Sequence, residues 1–318
     1  MDRTSTTTNH ELRLLLALDS SFEPVAAVAI CSFLAHNRFE RVVVVTPNDT
    51  WLNILPTIAS HFQTPLEQIT IPPEAACEAL DPSVRGYFYC IEALEDVCHG
   101  SLANDPGRYL YVDSDTLCIR ELTELIRFPL DETQPLAACS HGRPMVDRQL
   151  VLELESPYHY FNAGILLFDS WKLSGHIRSK DVVRFFRENR AICRFREQCA
   201  LNALMRGKVR FLPNQYNYLS WMRPRVAEGV WHQVHANPMA YCLGHVRDEL
   251  AIAHLSAGAI PSRIGSDRHE TIDKYWLRLD STLKTHAPLN KEVVLPRFET
   301  YKKEQEAQAT EGREPELN

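Results

Sequence analysis

Tyr109-Leu110-Tyr111-Val112-Asp113-Ser114-Asp115-Thr116-Leu117 decides the reading of this chain: four apolar or aromatic β-formers run straight into two carboxylates one residue apart. On an extended backbone, residues i and i+2 project to the same side, which would bring Asp113 and Asp115 together where a buried strand leaves its sheet. Open α/β sheets keep their ligand crevices beyond the carboxyl ends of their strands. Two hard oxygen donors at such a point suit Mg²⁺ or Mn²⁺ carrying a substrate phosphate. Taken alone, the fragment also reads as a polar strand end capped by turn-forming Asp and Ser, and that plainer reading leads until other segments are brought to it.

Working outward, Leu12 to Leu18 is an apolar strand ending at Asp19-Ser20-Ser21, a polar cluster suited to a helix start. The Ala/Val-rich segment from Pro24 to His36 predicts a helix, Arg41 to Thr46 a strand, Thr50 to His61 a helix, and the residues around Ile69 a short strand. This β-α-β-α-β rhythm implies a parallel sheet covered by helices. A helix over residues 87–98 then leads into the acidic strand. Further on, Leu136 to Cys139 and Gly164 to Phe168 predict strands, Ser179 to Asn189 and Glu197 to Arg206 helices, and Ala251 to His254 one more short strand. Residues 1–10 read as a disordered arm, residues 11–290 as one α/β domain, and residues 291–318 as a polar C-terminal tail.

At 318 residues, 45% hydrophobic and 24% charged, the chain has ordinary globular composition. The net charge of −7, with no Lys/Arg-rich block, argues against nucleic acid and anionic membrane as partners. Nine scattered cysteines form no Cys-x-x-Cys pair and suit reduced core thiols. No apolar run approaches the roughly 18–20 residues of a transmembrane helix, and the polar start MDRTSTTTNH has no signal-peptide character. A cytoplasmic location is expected.

Three segments downstream change the weight given to the acidic pair. They are Tyr160-Phe161-Asn162-Ala163-Gly164 running into Ile165 to Phe168, Glu197-Gln198-Cys199-Ala200-Leu201-Asn202 followed by Gly207-Lys208-Val209 and Leu212-Pro213, and Ile252-Ala253-His254-Leu255-Ser256-Ala257-Gly258. In this order, with the Asp-x-Asp ahead of them, they resemble glycosyltransferase family 8 over most of the chain. That family holds retaining transferases using UDP-sugars, among them bacterial lipooligosaccharide galactosyltransferases and glycogenin. The resemblance implies a GT-A domain. Its Rossmann-like nucleotide-binding half, with a central, mainly parallel sheet flanked by helices, merges with a mixed acceptor-binding half.

The resemblance also implies roles. Asp113 and Asp115 match the metal-binding Asp-x-Asp, with Ser114 between them at the donor, and His254 matches the third metal ligand. An imidazole with two carboxylates favours Mn²⁺, with Mg²⁺ as the other option. Asp19 matches the uracil-reading position, although it would equally cap the following helix. Asn162, Ala163 and Gly164 match the loop lining the sugar pocket. Gln198 matches the residue near the anomeric carbon, with Glu197 beside it; these two are the expected catalytic pair. Gly258 and Arg263 are expected at the diphosphate, Arg263 replacing a Lys because Ile260-Pro261 stands where the family has Lys-Pro. Cys199 replaces the second acid of the family's Asp-Gln-Asp, His141 an Asp that binds the donor sugar, and Cys90 a donor-binding Arg for which Arg85 is the nearby substitute.

The expected function is therefore metal-dependent, retaining transfer of a hexose from a UDP-sugar to a hydroxyl of a saccharide, glycolipid or protein. Two alternatives stand beside it. One is a non-catalytic relative that binds nucleotide or saccharide. The other is a haloacid-dehalogenase-type phosphatase, which Leu117 and the absence of an Asp-Asp pair disfavour. Neither Gly-x-Gly-x-x-Gly nor Gly-x-x-x-x-Gly-Lys-Ser/Thr occurs. The histidines of Trp231-His232-Gln233-Val234-His235 read as part of a polar loop. Tyr216, Tyr218 and Trp221 read either as core or as a stacking surface for a sugar.

Overall fold

The computed structural model describes residues 12–48, 50–219 and 251–254. Along the chain these form β1 (Leu12–Ala17), α1 (Glu23–His36), β2 (Val42–Thr46), α2 (Leu55–His61), β3 (Leu66–Thr70), α3 (Pro82–Arg85), α4 (Tyr89–His99), β4 (Arg108–Val112) and β5 (Thr116–Cys118). There follow α5 (Thr123–Ile126), β6 (Leu136–Ser140), α6 (Val146–Leu152), β7 (Phe161–Asp169), α7 (Ser170–Leu173), α8 (Ser179–Glu188), α9 (Arg196–Leu204), β8 (Val209–Leu212), β9 (Tyr218–Leu219) and β10 (Ile252–His254).

The larger sheet has seven strands in the order β3-β2-β1-β4-β7-β6-β8. All its pairs are parallel except those of β7, which runs against both β4 and β6. The mainly apolar strands, Leu12 to Ala17 with Arg13 as its exception and Val42 to Thr46 ending in Thr46, lie inside it with helices on both faces, as a doubly covered sheet requires. One core joins β1, β2, α1 and α2 to the small sheet β5-β10-β9. The other joins the opposite side chains of the same strands to α4, α8 and α9. Helix α1 is apolar almost all round because it is wedged between the two sheets. The mainly parallel α/β architecture expected from the sequence is the one observed.

Two local expectations differ. The helix predicted from Thr50 begins only at Leu55, because Glu23, buried in the first turn of α1, draws three backbone donors to itself: Oε1 accepts the N–H groups of Asn53, Ile54 and Leu55 at 2.7, 2.6 and 3.2 Å. The acidic pair, expected on an extended strand, sits instead in a tight turn between β4 and β5, so strand alternation is not what brings its side chains together. Thr116 Oγ1 closes that turn onto the Asp113 carbonyl at 2.7 Å.

Candidate active site

Every described residue of the expected site lies at one edge of the large sheet or hangs over it. Asp19 follows β1, Asp113 follows β4 and His141 follows β6, all at carboxyl ends. Because β7 is reversed, its beginning, with Asn162 and Gly164, arrives at the same edge. The small sheet supplies the last residue of the cluster: β10 pairs antiparallel with β5, setting His254 opposite Thr116, one residue beyond Asp115. Gly258 and Arg263 lie outside the described residues, as do Trp221, His232 and His235.

Asp113, Asp115 and His254 each turn one ligand atom into a space where all three lie within 4.8 Å of one another. His254 Nε2 is 3.2 Å from Asp115 Oδ1 and 3.7 Å from Asp113 Oδ2. Tyr111 donates its hydroxyl to the other Asp113 oxygen at 2.8 Å, and the Asp113 N–H is tied to the Gly164 carbonyl at 2.8 Å. Burial lifts the Asp113 carboxyl above its ordinary range and the Asp115 charge adds to this, while His254 opposes it. Burial would lower His254, but Asp115 and Asp113 outweigh it and hold the imidazole above its usual value. Two carboxylates and one imidazole nitrogen thus face a single point, where a cation would offset their negative charge. Gly164 makes the close approach feasible. A Cβ there would collide with the His254 ring and come within 2.6 Å of Asp113 Oδ2. The donor set fits a divalent metal.

Beside this triad runs a line of buried amides. His254 Nδ1 is 2.9 Å from Asn217 Oδ1, Asn217 Nδ2 donates to Asn162 Oδ1 at 2.8 Å, and Asn162 Nδ2 donates to Gln198 Oε1 at 3.0 Å. Gly164 N–H also donates to Asn162 Oδ1 (3.0 Å), and Ala163 N–H to Gln198 Oε1 (3.1 Å). Asn217 and Tyr111 were not singled out from the sequence. Asn217 stands in the polar run Asn214-Gln215-Tyr216-Asn217, where nothing in composition or spacing separates it from a loop residue.

Glu197 lies in the first turn of α9 next to Gln198, and its Oε2 is buried without a hydrogen-bond partner among the described residues. Burial and the neighbouring Asp113 push its carboxyl up to about 8, so in the metal-free protein it carries a proton at neutral pH. Arg196, just before it, holds left-handed backbone at φ 46° and lays its guanidinium 4.0 Å over the Tyr87 ring, pinning the start of the helix. Burial, with Arg143 and His254 adding to it, lowers His141 to about 3. A neutral imidazole thus packs between Tyr160 and Phe195, both at 5.9 Å between ring centroids.

Other residues take structural parts. Asp19 Oδ1 accepts the Ser21 N–H at 2.9 Å, the capping role open to it from the start. Ser114 is half-buried in the acidic turn, and Ala163 is buried. Cys199 faces inward, with Sγ 3.2 Å from the Tyr160 hydroxyl. Burial holds the Cys90 thiol well above its ordinary range, and a neutral thiol carries none of the positive charge of an Arg at that position. Arg85 pairs with Glu78 at 2.7 Å and donates to the Glu78 and Leu80 carbonyls. Tyr216 is core, donating its hydroxyl to Glu124 at 2.6 Å.

The family model for glycosyl transferase family 8 matches residues 13–254, which include every residue of the metal triad and of the amide line. The chain belongs to glycosyl transferase family 8. Its likeness to individual members is partial. A putative glycosyltransferase of Haemophilus influenzae is 31% identical over 114 residues, 34% of this chain and 33% of that protein. The lipopolysaccharide 1,2-glucosyltransferase of Escherichia coli is 25% identical over 113 residues, 35% of this chain and 33% of that protein. The matched stretch thus spans about a third of each relative's length. In fold, the galactosyltransferase LgtC, solved in complex with donor and acceptor sugar analogues, superposes with a TM-score of 0.65 at 18% identity, covering 85% of this chain and 95% of LgtC. The GT-A fold expected for a family 8 chain is therefore present. The family match also displaces the phosphatase alternative. Among the described residues, no helix of this family 8 chain is long and apolar enough to cross a membrane.

Proposed function

We propose that this protein is a metal-dependent retaining glycosyltransferase that moves a hexose from a UDP-sugar to a hydroxyl of a saccharide, glycolipid or protein. The observation that carries this reading is the convergence of Asp113, Asp115 and His254 beside the Asn162–Gln198 amides, at the carboxyl edge where the strand order reverses between β1 and β4. The hexose is supported by the galactosyltransferase and glucosyltransferase among the similar proteins, and a lipid-linked saccharide acceptor by the lipopolysaccharide enzyme. Among the described residues, eight cysteines are buried and in no disulfide, which supports a reducing, cytoplasmic setting.

In this reading Asp113, Asp115 and His254 hold Mn²⁺, with Mg²⁺ as the alternative, and Ser114 and Asp19 face the nucleotide. The cation supplies Lewis-acid stabilisation of the charge left on the diphosphate when the glycosidic bond breaks. Asn162, Ala163 and Gly164 shape the sugar pocket. Gln198 lies at its inner wall, with its oxygen held by two donors. Glu197 keeps one buried oxygen uncommitted. Protonated, it donates to a sugar oxygen; ionised, it stabilises positive charge developing at the anomeric carbon. The acceptor hydroxyl enters on the face vacated by the diphosphate and gives its proton to a diphosphate oxygen. Gly258 and Arg263 complete the diphosphate contacts.

The test is release of UDP from a panel of UDP-sugars with Mn²⁺ or with EDTA. Slow turnover of one donor that EDTA stops is expected and names the sugar. Asp115→Asn should lower that turnover by about 100-fold or more while the protein stays folded; unchanged turnover with the same metal dependence would sink the assignment. The doubly bonded oxygen of Gln198 favours one second reading, a nucleotide-sugar-binding relative without turnover. UDP bound in a Mn²⁺-dependent way, with no UDP released from any donor, would establish it.

A further inference from the structure

We infer that Asn217 is a positioning residue that fixes the tautomer of His254 and locks the metal triad and the Gln198 pocket into one hydrogen-bond direction. The inference rests on the metal-site reading above for its consequence, but the direction itself follows from hydrogen bonds alone.

A backbone N–H can only donate. The side-chain atom receiving Ala163 N–H must therefore be the Gln198 oxygen, and the atom receiving Gly164 N–H must be the Asn162 oxygen. With both ends identified, the Asn162 amide nitrogen faces Gln198 and donates to it. The Asn162 oxygen faces Asn217, so the atom of Asn217 directed at it, 2.8 Å away, is the amide nitrogen. The remaining end of Asn217 is its oxygen, 2.9 Å from His254 Nδ1, and an oxygen demands a hydrogen there. His254 thus carries its proton on Nδ1 and presents Nε2 to Asp113 and Asp115, the form in which an imidazole binds a metal. Two backbone donors on β7 determine the tautomer of a histidine on another sheet, through three amides.

Asn217 can do this because it is fully buried in the turn between Pro213 and β9, where no water competes. Strand β9 pairs with β10, placing Leu219 beside His254, so the residue that orients the ligand is anchored to the strand that carries it. An amide accepts at one end and donates at the other, which an ionised carboxylate or an alkyl side chain cannot do. A carboxylate would keep the bond to His254 but oppose the Asn162 oxygen. Rotating Asn162 to relieve this would cost Gly164 N–H its acceptor and set the Asn162 oxygen against that of Gln198.

The experiment compares the full-length protein with Asn217→Asp and Asn217→Leu by three readouts: imidazole ¹⁵N shifts of His254 without metal at high pH, Mn²⁺ affinity from free-Mn²⁺ electron paramagnetic resonance without donor, and kcat for UDP release. The parent and Asn217→Asp should show the Nδ1–H tautomer, and Asn217→Leu a mixture. Mn²⁺ affinity should hold within about threefold in Asn217→Asp and fall about 10- to 100-fold in Asn217→Leu. Despite its intact metal binding, Asn217→Asp should lose kcat at least about tenfold. An Nε2–H tautomer in the parent overturns the inference, as does parental Mn²⁺ affinity in Asn217→Leu or parental kcat in Asn217→Asp. If the parent binds no Mn²⁺ at all, the metal-transferase reading fails, while the ¹⁵N shifts still decide the tautomer.

Discussion

Gly164 is the residue on which the metal triad depends sterically. Gly164→Ala should lower Mn²⁺ affinity more than about tenfold, because His254 and Asp113 must both retreat from the new methyl group; binding within twofold of the parent would show that the triad does not need this close approach. Glu197 makes a different prediction. Its ordinary value is about 4.3 and its folded value about 8, so between those pH values the unfolded chain has lost a proton that the folded protein retains. The metal-free protein therefore loses stability as pH rises across that window. Glu197→Gln has no such proton, so its Tm advantage over the parent in EDTA should grow from about pH 5 to about pH 8. An advantage that stays constant would count against a buried, protonated Glu197. At this scale the sequence was legible where chemistry is local: two carboxylates one residue apart announce themselves, and the ordered motifs point to Asn162, Gln198 and His254. Asn217 was not legible, because its partners are 37 and 55 residues away in the chain and an amide in a polar loop carries no mark of burial.

The elements most faithfully predicted are those whose surroundings are uniform. Strands β1 and β2 and helix α1 are mostly apolar, Arg13, Thr46 and Glu23 among the few exceptions, because both their faces are covered, and their sequences say so. Short strands escaped: β5 and β9, of three and two residues, exist only because β10 lies between them. The late start of α2 has a similar long-range cause. Glu23→Ala should destabilise the protein by about 2 kcal/mol, since it strands the buried N–H groups of Ile54 and Leu55, whereas Glu23→Gln keeps an acceptor and should recover most of the loss. Denaturant unfolding of the two variants checks this; equal losses would mean that charge rather than acceptance matters.

Across the whole molecule, stabilising ion pairs and the proposed chemistry lie at opposite edges of one sheet. At the far edge Arg13, only 5% exposed, bonds Glu40 at 2.8 Å, Asp105 at 3.0 Å and the Tyr109 hydroxyl at 3.1 Å, while Arg41 joins Glu40 and Asp105 to the same cluster. Arg13→Met should cost about 1–2 kcal/mol, because Arg41 still pairs with Glu40 and Asp105 while the Asp105 carbonyl and the buried Tyr109 hydroxyl lose their Arg13 donor, and should leave Mn²⁺ affinity unchanged. A parallel loss of metal binding would mean that the two edges are coupled. The reversed strand β7 has a separate bearing on how such a protein diversifies. In a fully parallel sheet every connection must cross from one edge to the other, which fixes a minimum length and usually a helix. The connection from β6 to β7, residues 141–160, leaves and re-enters at the same edge, so it is exempt from that crossing. It frames a hollow of about 280 Å³ lined by Arg143, Met145, Arg194 and Phe195. Growth or exchange of this segment would remodel the rim of the cleft while the strands beneath it kept their register, so novelty at the mouth need not be bought with disorder in the frame.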